Sequence, residues 1–416
     1  MNFNSPDMKN LAFFIGLMLF LPPFQLAAQP GFEILKDVKK IEIPFEYKNN
    51  LIIVKVTFHR IFPLKFIFDT GAEHTILARR EFTDLLGIPF ERQFKIMGSD
   101  MKTELTAYLV RGIHLRISDM IIPYHSMLVL EEDYLRFEQM AGLEIQGILG
   151  ADIFRGLIVK IDYNRKIITL SKSKGFKEPG GNYMAIPIDV YRNKPYLNTY
   201  IKMQQDTTVP VRLLLDTGAM LSLMLNTDTH PNLKLPPHVI KGQVGAGLGG
   251  IIEGYLGRIN TLDLGTLQCN HVVTNFQELA EGTDTASLKG RNGIIGNQIL
   301  SRFNVIIDYP KETLYLSPNR NFKKAFEFDK SGLIVIAADI HLNKFIIHDV
   351  IEGSPASEAG LQAGDEIRRI NRSSAAFLSL ASIQHLLSKK EGKKITMVVK
   401  RGDEKIKVHF TLRNLI

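Results

Sequence analysis

The sequence of 416 residues contains no tryptophan and one cysteine, Cys269. A single thiol cannot close an intrachain disulfide, which removes disulfide-framework folds from consideration. The eleven histidines are scattered, with no His-Glu-x-x-His pair and no Cys/His cluster at zinc-ligand spacing, so no metal centre is expected. A strong charge bias is also lacking: 51 Lys and Arg stand against 43 Asp and Glu, a net +8. Much of that excess is local, with Lys389, Lys390, Lys393, Lys394, Lys400, Arg401, Lys405 and Lys407 set against Glu391, Asp403 and Glu404. No aromatic residues interleave these charges, so they read as a solvated face and no nucleic-acid partner is expected. A hydrophobic fraction of 45% and a charged fraction of 23%, with 32 Gly and 18 Pro, exclude disorder, collagen-like repeats and a multi-span membrane protein. What remains is a chain long enough for roughly two to four globular units.

Residues 1–28 differ in kind from the rest. Lys9 precedes an apolar run over 11–21, followed by Pro22, Pro23 and the small residues Ala27 and Ala28. This is the layout of a secretory signal peptide, although Asp7 offsets Lys9 and Met8 is an alternative start. The run is too short to span a bilayer. No Cys follows the cleavage point, which argues against a lipid-anchored lipoprotein. The expectation is an exported protein, periplasmic, cell-envelope associated or secreted, with no stable transmembrane segment after leader removal; the alternative is an uncleaved hydrophobic anchor.

An internal repeat organises the remainder of the chain. Ile67-Phe68-Asp69-Thr70-Gly71-Ala72 recurs as Leu214-Leu215-Asp216-Thr217-Gly218-Ala219, an offset of 147 residues. Gly147-Ile148-Leu149-Gly150 lies 78 residues after Asp69, and Gly293-Ile294-Ile295-Gly296 lies 77 after Asp216. From these elements residues 147–170 align without gaps on 293–316 and share nine of 24 positions, including Ile161-Asp162-Tyr163 against Ile307-Asp308-Tyr309. The chain therefore contains a duplicated lobe, 40–172 and 183–320, divided by a polar, breaker-rich linker over 171–182. Short runs rich in Val, Ile, Leu and Phe, at 51–58, 64–68, 108–117 and 157–161, read as strands. Brief helices fit only at 79–86 and after each Gly-Ile-x-Gly. The fold class is mainly β, with two barrel-like or folded-sheet lobes.

Each Asp-Thr-Gly follows an apolar strand, which would deliver the Asp to the floor of a cleft; Gly lets backbone approach closely and Thr can tie the turn down. One such tripeptide is a common turn. Two in duplicated lobes resemble the aspartic proteases of the retropepsin and pepsin type, over residues 40–320. The resemblance implies acid-protease-like β-barrel lobes meeting across a pseudo-two-fold axis around one cleft. It implies Asp69 and Asp216 as the catalytic dyad, with Thr70, Gly71, Thr217 and Gly218 as catalytic-loop support, and the Gly-Ile-x-Gly elements packed under the loops. Two like charges about 3 Å apart cannot both ionise, so the pair would share a proton and act as acid and base on a water. No metal or cofactor is required for that chemistry.

Such an enzyme closes its cleft with a mobile hairpin, and 241–257, with Gly245, Gly247 and Gly249, is the flap candidate. The same stretch matches the dinucleotide pattern GxGxxG, but a strand follows where that fingerprint demands a helix. Around Gly98, residues 95–102 are either a second, shorter flap or a surface turn. Glu73 and Met220 occupy the same position after the two motifs, so the cleft is expected to be asymmetric, with Glu73 either an exposed carboxylate or a hydrogen-bonding group at a subsite edge.

A third pattern begins near residue 328. Gly353-Ser354-Pro355-Ala356, Ala359-Gly360-Leu361 and Gly364-Asp365-Glu366-Ile367 occur in order, with Ser354 suited to an N-cap, Pro355 to the first helical position and Gly360 to a left-handed stop. This run resembles the PDZ domain, a small β-barrel with two helices, over 328–416. The resemblance implies a groove between Gly332, Leu333, Ile334 and Val335 and a helix over 380–389 carrying Ile383 and Leu387, where an extended C-terminal peptide would add as a strand and leave its carboxylate to backbone N–H groups. Ile334 stands where the family often has Gly, which alters the carboxylate pocket. A module that only docks on the lobes is the alternative. The whole reads as an exported aspartic endopeptidase acting on protein or peptide substrates, with a PDZ domain that positions them. The alternative from another class is a non-catalytic peptide-binding protein that keeps the protease fold.

Overall fold

The computed structural model describes residues 39–98, 103–134, 138, 142–204, 207–248, 250–279, 288, 290–339 and 342–416. The leader expected over residues 1–28 lies outside them. The chain is mostly β, in two lobes and a C-terminal β domain.

Lobe one turns on the hairpin Leu51–Phe58 with Phe62–Phe68, where Val54 faces Phe66 and Ile53 faces Ile67. Its sheet passes through Gly147–Leu149, Ile76–Leu77 and Met120–Leu130 to Glu104–Ile117, which returns to pair with the first strand at Thr57↔Arg116 and Phe58↔Leu115. That pairing closes a barrel and removes an exposed edge. Lobe two repeats the construction: Lys194–Lys202 and Thr208–Leu215 form the hairpin, and Gly250–Leu264 closes back at Ile201↔Leu262. Helices are few, as the β-branched sequence requires: Glu81–Leu85 in lobe one and Asn297–Leu300 after the second Gly-Ile-x-Gly. After the first copy, where a brief helix was expected, residues 151–156 form only turns.

The lobes are joined through one sheet. Ile158–Asp162 of lobe one pairs antiparallel with Phe303–Asp308 of lobe two, Ile161 against Val305 and Val159 against Ile307. Ile167–Ser171 and Lys40–Lys48 extend it on one side, Thr313–Pro318 and Met184–Pro187 on the other. The order is thus symmetric about the central pair. One continuous apolar cluster runs through both lobes, including Phe58, Phe66, Phe154, Phe276 and Phe303, each essentially inaccessible to solvent. Each such side chain contributes about 1.5–3 kcal/mol on burial.

The C-terminal domain has its own core around Phe345, Ile370, Ile383 and Met397. Its sheet runs Leu333–Ala337, Phe345–Val350, Glu366–Ile370, Lys394–Arg401, Glu404–Thr411, with helices Pro355–Glu358 and Leu380–Leu387. Ser354 caps the first through Ser357 N–H, and Ser379 and Ser382 form a reciprocal cap on the second. The segment that leads into the domain is held on lobe two. Arg302 donates to the carbonyls of Gln298, Asn321, Phe322, Lys324 and Ala325 and lies over the Phe326 ring, and Arg258 donates to the Phe326 carbonyl. Phe326, Phe328, Leu415 and Ile416 all pack against the lobes' shared core.

Candidate active site

In each lobe a three-residue strand holds the end of the motif strand in place. Phe62–Phe68 runs parallel to Gly147–Leu149, so Asp69 N–H donates to the Leu149 carbonyl at 3.0 Å; Thr208–Leu215 runs parallel to Gly293–Ile295, and Asp216 N–H donates to Ile295 at 2.9 Å. Both chains then turn sharply at the domain axis.

There the two threonines interlock. Thr70 N–H donates to Thr217 Oγ1 at 3.0 Å and Thr217 N–H to Thr70 Oγ1 at 3.1 Å. Each hydroxyl in turn donates across the axis, Thr70 to the Leu215 carbonyl at 2.7 Å and Thr217 to that of Phe68 at 2.8 Å. Both side chains are buried, so all four bonds are sheltered from water and each leaves a costly orphan if cut.

The lock sets the carboxylates side by side, close enough for the Asp216 charge to act on Asp69. Asp69 Oδ1 also accepts from Gly71 N–H at 2.7 Å and Ala72 N–H at 3.1 Å, and Asp216 Oδ1 from Gly218 N–H at 2.7 Å. The glycines are needed for space: neither has a positive φ, but a Cβ on Gly71 would come within 2.5 Å of Asp216 Cγ, and one on Gly218 would strike the Asp69 carboxylate. Burial, and then the Asp216 charge, hold the Asp69 carboxyl well above the usual range. Burial raises Asp216 as well, but the bond from Asp69, the Gly218 amide and the Arg291 guanidinium pull it back. Both carboxyls are therefore held above their usual range, Asp69 the more strongly.

The aspartyl protease family model matches residues 54–153 and 201–299, one segment per Asp-Thr-Gly, and a PDZ domain model matches 346–401. The chain is a two-lobed aspartyl protease-family protein with a C-terminal PDZ domain. No curated protein matches it.

Around the dyad of this aspartyl protease-family chain the two lobes diverge. Under the first loop, Asp152 accepts from Thr75 N–H at 2.9 Å and Thr75 Oγ1 at 2.8 Å, with buried His125 Nε2 3.5 Å away. Burial pushes the Asp152 carboxyl up, but His125 and Thr75 outweigh it and leave it below its usual range. Under the second, neutral groups do the same work: Ser222 Oγ donates to Gln298 Oε1 at 2.8 Å, and Gln298 Nε2 donates to the Met220 carbonyl at 3.2 Å. Asn297 adds a tie to the Thr217 carbonyl and accepts from Tyr163 OH at 2.6 Å. The repeat places Ala151 opposite Asn297, and Tyr309, the counterpart of Tyr163, has a buried hydroxyl without a partner among the described residues. Sequence reading missed Asp152, His125, Asn297, both tyrosines and Arg291. Four of these six, all except His125 and Arg291, lie within the gapless alignment of the two copies, where the mismatches Asp152/Gln298 and Ala151/Asn297 mark the asymmetry.

At the flap candidate, Ile240–Gly247 and Gly250–Leu264 form a hairpin closed by Gly247↔Gly250, with Gly245 opposite Ile252 after a bulge; Gly249 lies outside the described residues. Leu248 at its tip packs against the lobe-one cluster that contains Leu51, Ile76 and Ile148, as do Ala72, Ile96 and Met220. Lobe one has the equivalent hairpin, Arg92–Met97 with Glu104–Ile117, of which residues 99–102 lie outside the described set. Glu73 is half-buried, 3.8 Å from His74 Nε2 and 4.0 Å from Arg192 Nη1, and so is not a free carboxylate.

In the PDZ domain, Gly332 to Val335 lead into the edge strand Leu333–Ala337. Leu387 lines the cavity beside it, whereas Ile383 is fully buried in the domain core and Gln384 and His385 face the cavity instead. Arg401 of the basic run is taken up by a paired contact with Asp365, at 2.7 and 2.8 Å. No helix among the described residues is long and apolar enough to cross a membrane.

Proposed function

We propose that the protein is an exported aspartic endopeptidase in which Asp69 and Asp216 activate a water against a peptide bond. The observation that carries this reading is two carboxylates from duplicated lobes brought together at the Thr70–Thr217 lock, each against the other motif's glycine. Asp216, held nearer ionisation, takes a proton from the water. Asp69, protonated, donates a hydrogen bond to the scissile carbonyl. Attack gives a tetrahedral diol; return of a proton to the amide nitrogen breaks the C–N bond and frees the two products. Thr70, Gly71, Thr217 and Gly218 hold the carboxylates in register, and the glycine hairpin ending at Leu248 covers the cleft and excludes water. The PDZ domain holds a partner or substrate polypeptide near the protease body.

The test is digestion of a mixed peptide library by the purified mature chain from about pH 3 to 8, with and without a statine-type inhibitor. Cleavage should be inhibitor-sensitive and fall at least about a hundredfold in both Asp69→Asn and Asp216→Asn. Absence of cleavage at every pH would turn the reading to a non-catalytic peptide-binding protein. Full activity in one mutant would mean that the two carboxylates do not act as a pair.

A further inference from the structure

The groove of the PDZ domain is walled on one side by the protease. Leu333–Ala337 is an edge strand, hydrogen-bonded among the described residues only to Phe345–Val350, and helix Leu380–Leu387 borders it. Between these elements and the protease body lies a cavity of about 680 Å³, bounded by Ile334, Ile336 and Gln384 on the domain side and by Gln298, Ser301 and Ala325 on the other. That volume is in the range of a ligand site, and the open strand edge supplies a row of backbone groups for an added strand.

The end of the groove is arranged differently. Asp329, which lines the cavity, accepts from Ser331 N–H and its hydroxyl at 2.8 Å each and from Gly332 N–H at 2.7 Å. Leu333 N–H donates to Ser331 Oγ at 3.1 Å. The amides with which this loop begins are thus already satisfied by the chain's own carboxylate and hydroxyl. A ligand's terminal carboxylate arriving there would find these donors occupied and a like charge beside it, which disfavours it.

We propose that the cavity between the PDZ groove and the protease body takes an extended internal segment of a polypeptide, added as a strand to Leu333–Ala337, and not a free C-terminus. This rests on the peptide-binding reading of the domain given above. The segment would be clasped by both modules, so the protein it belongs to is brought directly against lobe two.

The test uses the full chain carrying Asp69→Asn, so that probes are not cut, and fluorescence anisotropy with a random decapeptide library synthesised in paired forms, free acid and C-terminal amide. Among binders at neutral pH the amides should bind at least as tightly as their acids. Asp329→Asn, which keeps the acceptor and removes the charge, should improve the acids about tenfold relative to their amides. Ala325→Phe, which fills the cavity from the protease side, should weaken the amides about tenfold. Acids that bind tenfold tighter than amides would overturn the internal-segment proposal while leaving peptide binding intact, and an ineffective Ala325→Phe would overturn the shared wall. If neither form of any peptide binds, the peptide-binding reading itself is wrong.

Discussion

Tyr163 and Tyr309 close the same Ile-Asp-Tyr element in the two lobes, yet their hydroxyls stand in opposite circumstances, and replacing each by Phe should move stability in opposite directions. Tyr163 OH donates to Asn297 Oδ1 at 2.6 Å, and Asn297 is completely buried. Tyr163→Phe removes the bond and strands that acceptor, which costs about 1–3 kcal/mol. Tyr309 OH is buried beside Phe154 and near Asp69 with no partner among the described residues, because the position that carries Asn297 in the other lobe is Ala151 here. An unpaired buried hydroxyl costs about 1–3 kcal/mol, so Tyr309→Phe should return about 1 kcal/mol. For a unit of this size the expected shifts in calorimetric Tm are a fall of about 2–6 °C for Tyr163→Phe and a rise of about 2 °C for Tyr309→Phe. Each mutant is the other's control, since both delete one oxygen from the same kind of site. A Tm lowered equally in both would mean that Tyr309 has a hydrogen-bond partner and that the two hydroxyls do not differ.

Three further outcomes follow from the charges around the dyad. A carboxyl raised in the folded state contributes stability that is complete below its unfolded value and lost as pH rises through the folded one, so Asp69→Asn should raise Tm near pH 7 and leave it unchanged near pH 3; calorimetry at both values decides it. Arg291→Met removes a cation that draws Asp216 down, and should shift the acid limb of the kcat/KM profile upward by about 0.5–1 pH unit, whereas an unmoved limb would show that Arg291 does not act on Asp216. Asp152 has the opposite sign: its lowered carboxyl contributes stability above the unfolded value that disappears as pH falls through the folded one. Asp152→Asn should therefore cost about 2 kcal/mol at neutral pH in chemical denaturation and much less near pH 3.

How far each feature could be read from sequence depended on whether residue identity alone sets it. The paired Asp-Thr-Gly was legible because only a short carboxylate, a hydroxyl and a residue without Cβ fit there, as the Thr70–Thr217 exchange and the clearance of Gly71 from Asp216 demonstrate. The strand Leu51–Phe58 was legible from its composition and its bounding turns. His125 was not, since it reaches Asp152 from Met120–Leu130, and no local pattern announces a contact between such separated positions. Arg291 was equally silent, because its effect on Asp216 exists only once Gly293–Ile295 has paired beside Thr208–Leu215. In the PDZ domain the sequence marked the altered loop through Ile334, but the occupation of its amides by Asp329 depends on how residues 329–333 turn back on themselves.

Duplication explains which parts of the site stayed equal. A contact that pairs a position with its own counterpart, as Thr70 does with Thr217, cannot change on one side without unpairing the other, so both copies keep the same residue. A contact between different positions exists twice, and the fold survives if one copy lapses. Tyr163 bonds to Asn297 while Tyr309 meets no acceptor at Ala151 among the described residues, and a Thr75–Asp152–His125 cluster supports one loop where a neutral Ser222–Gln298 bond supports the other. The exception, the twofold approach of Gly71 to Asp216 and Gly218 to Asp69, is kept in both copies because a methyl group there would displace a carboxylate outright. An equal pair of carboxylates in unequal surroundings is held above the usual range to unequal degrees, Asp69 the more strongly, which supports the proposed assignment of the acid to Asp69 and the base to Asp216.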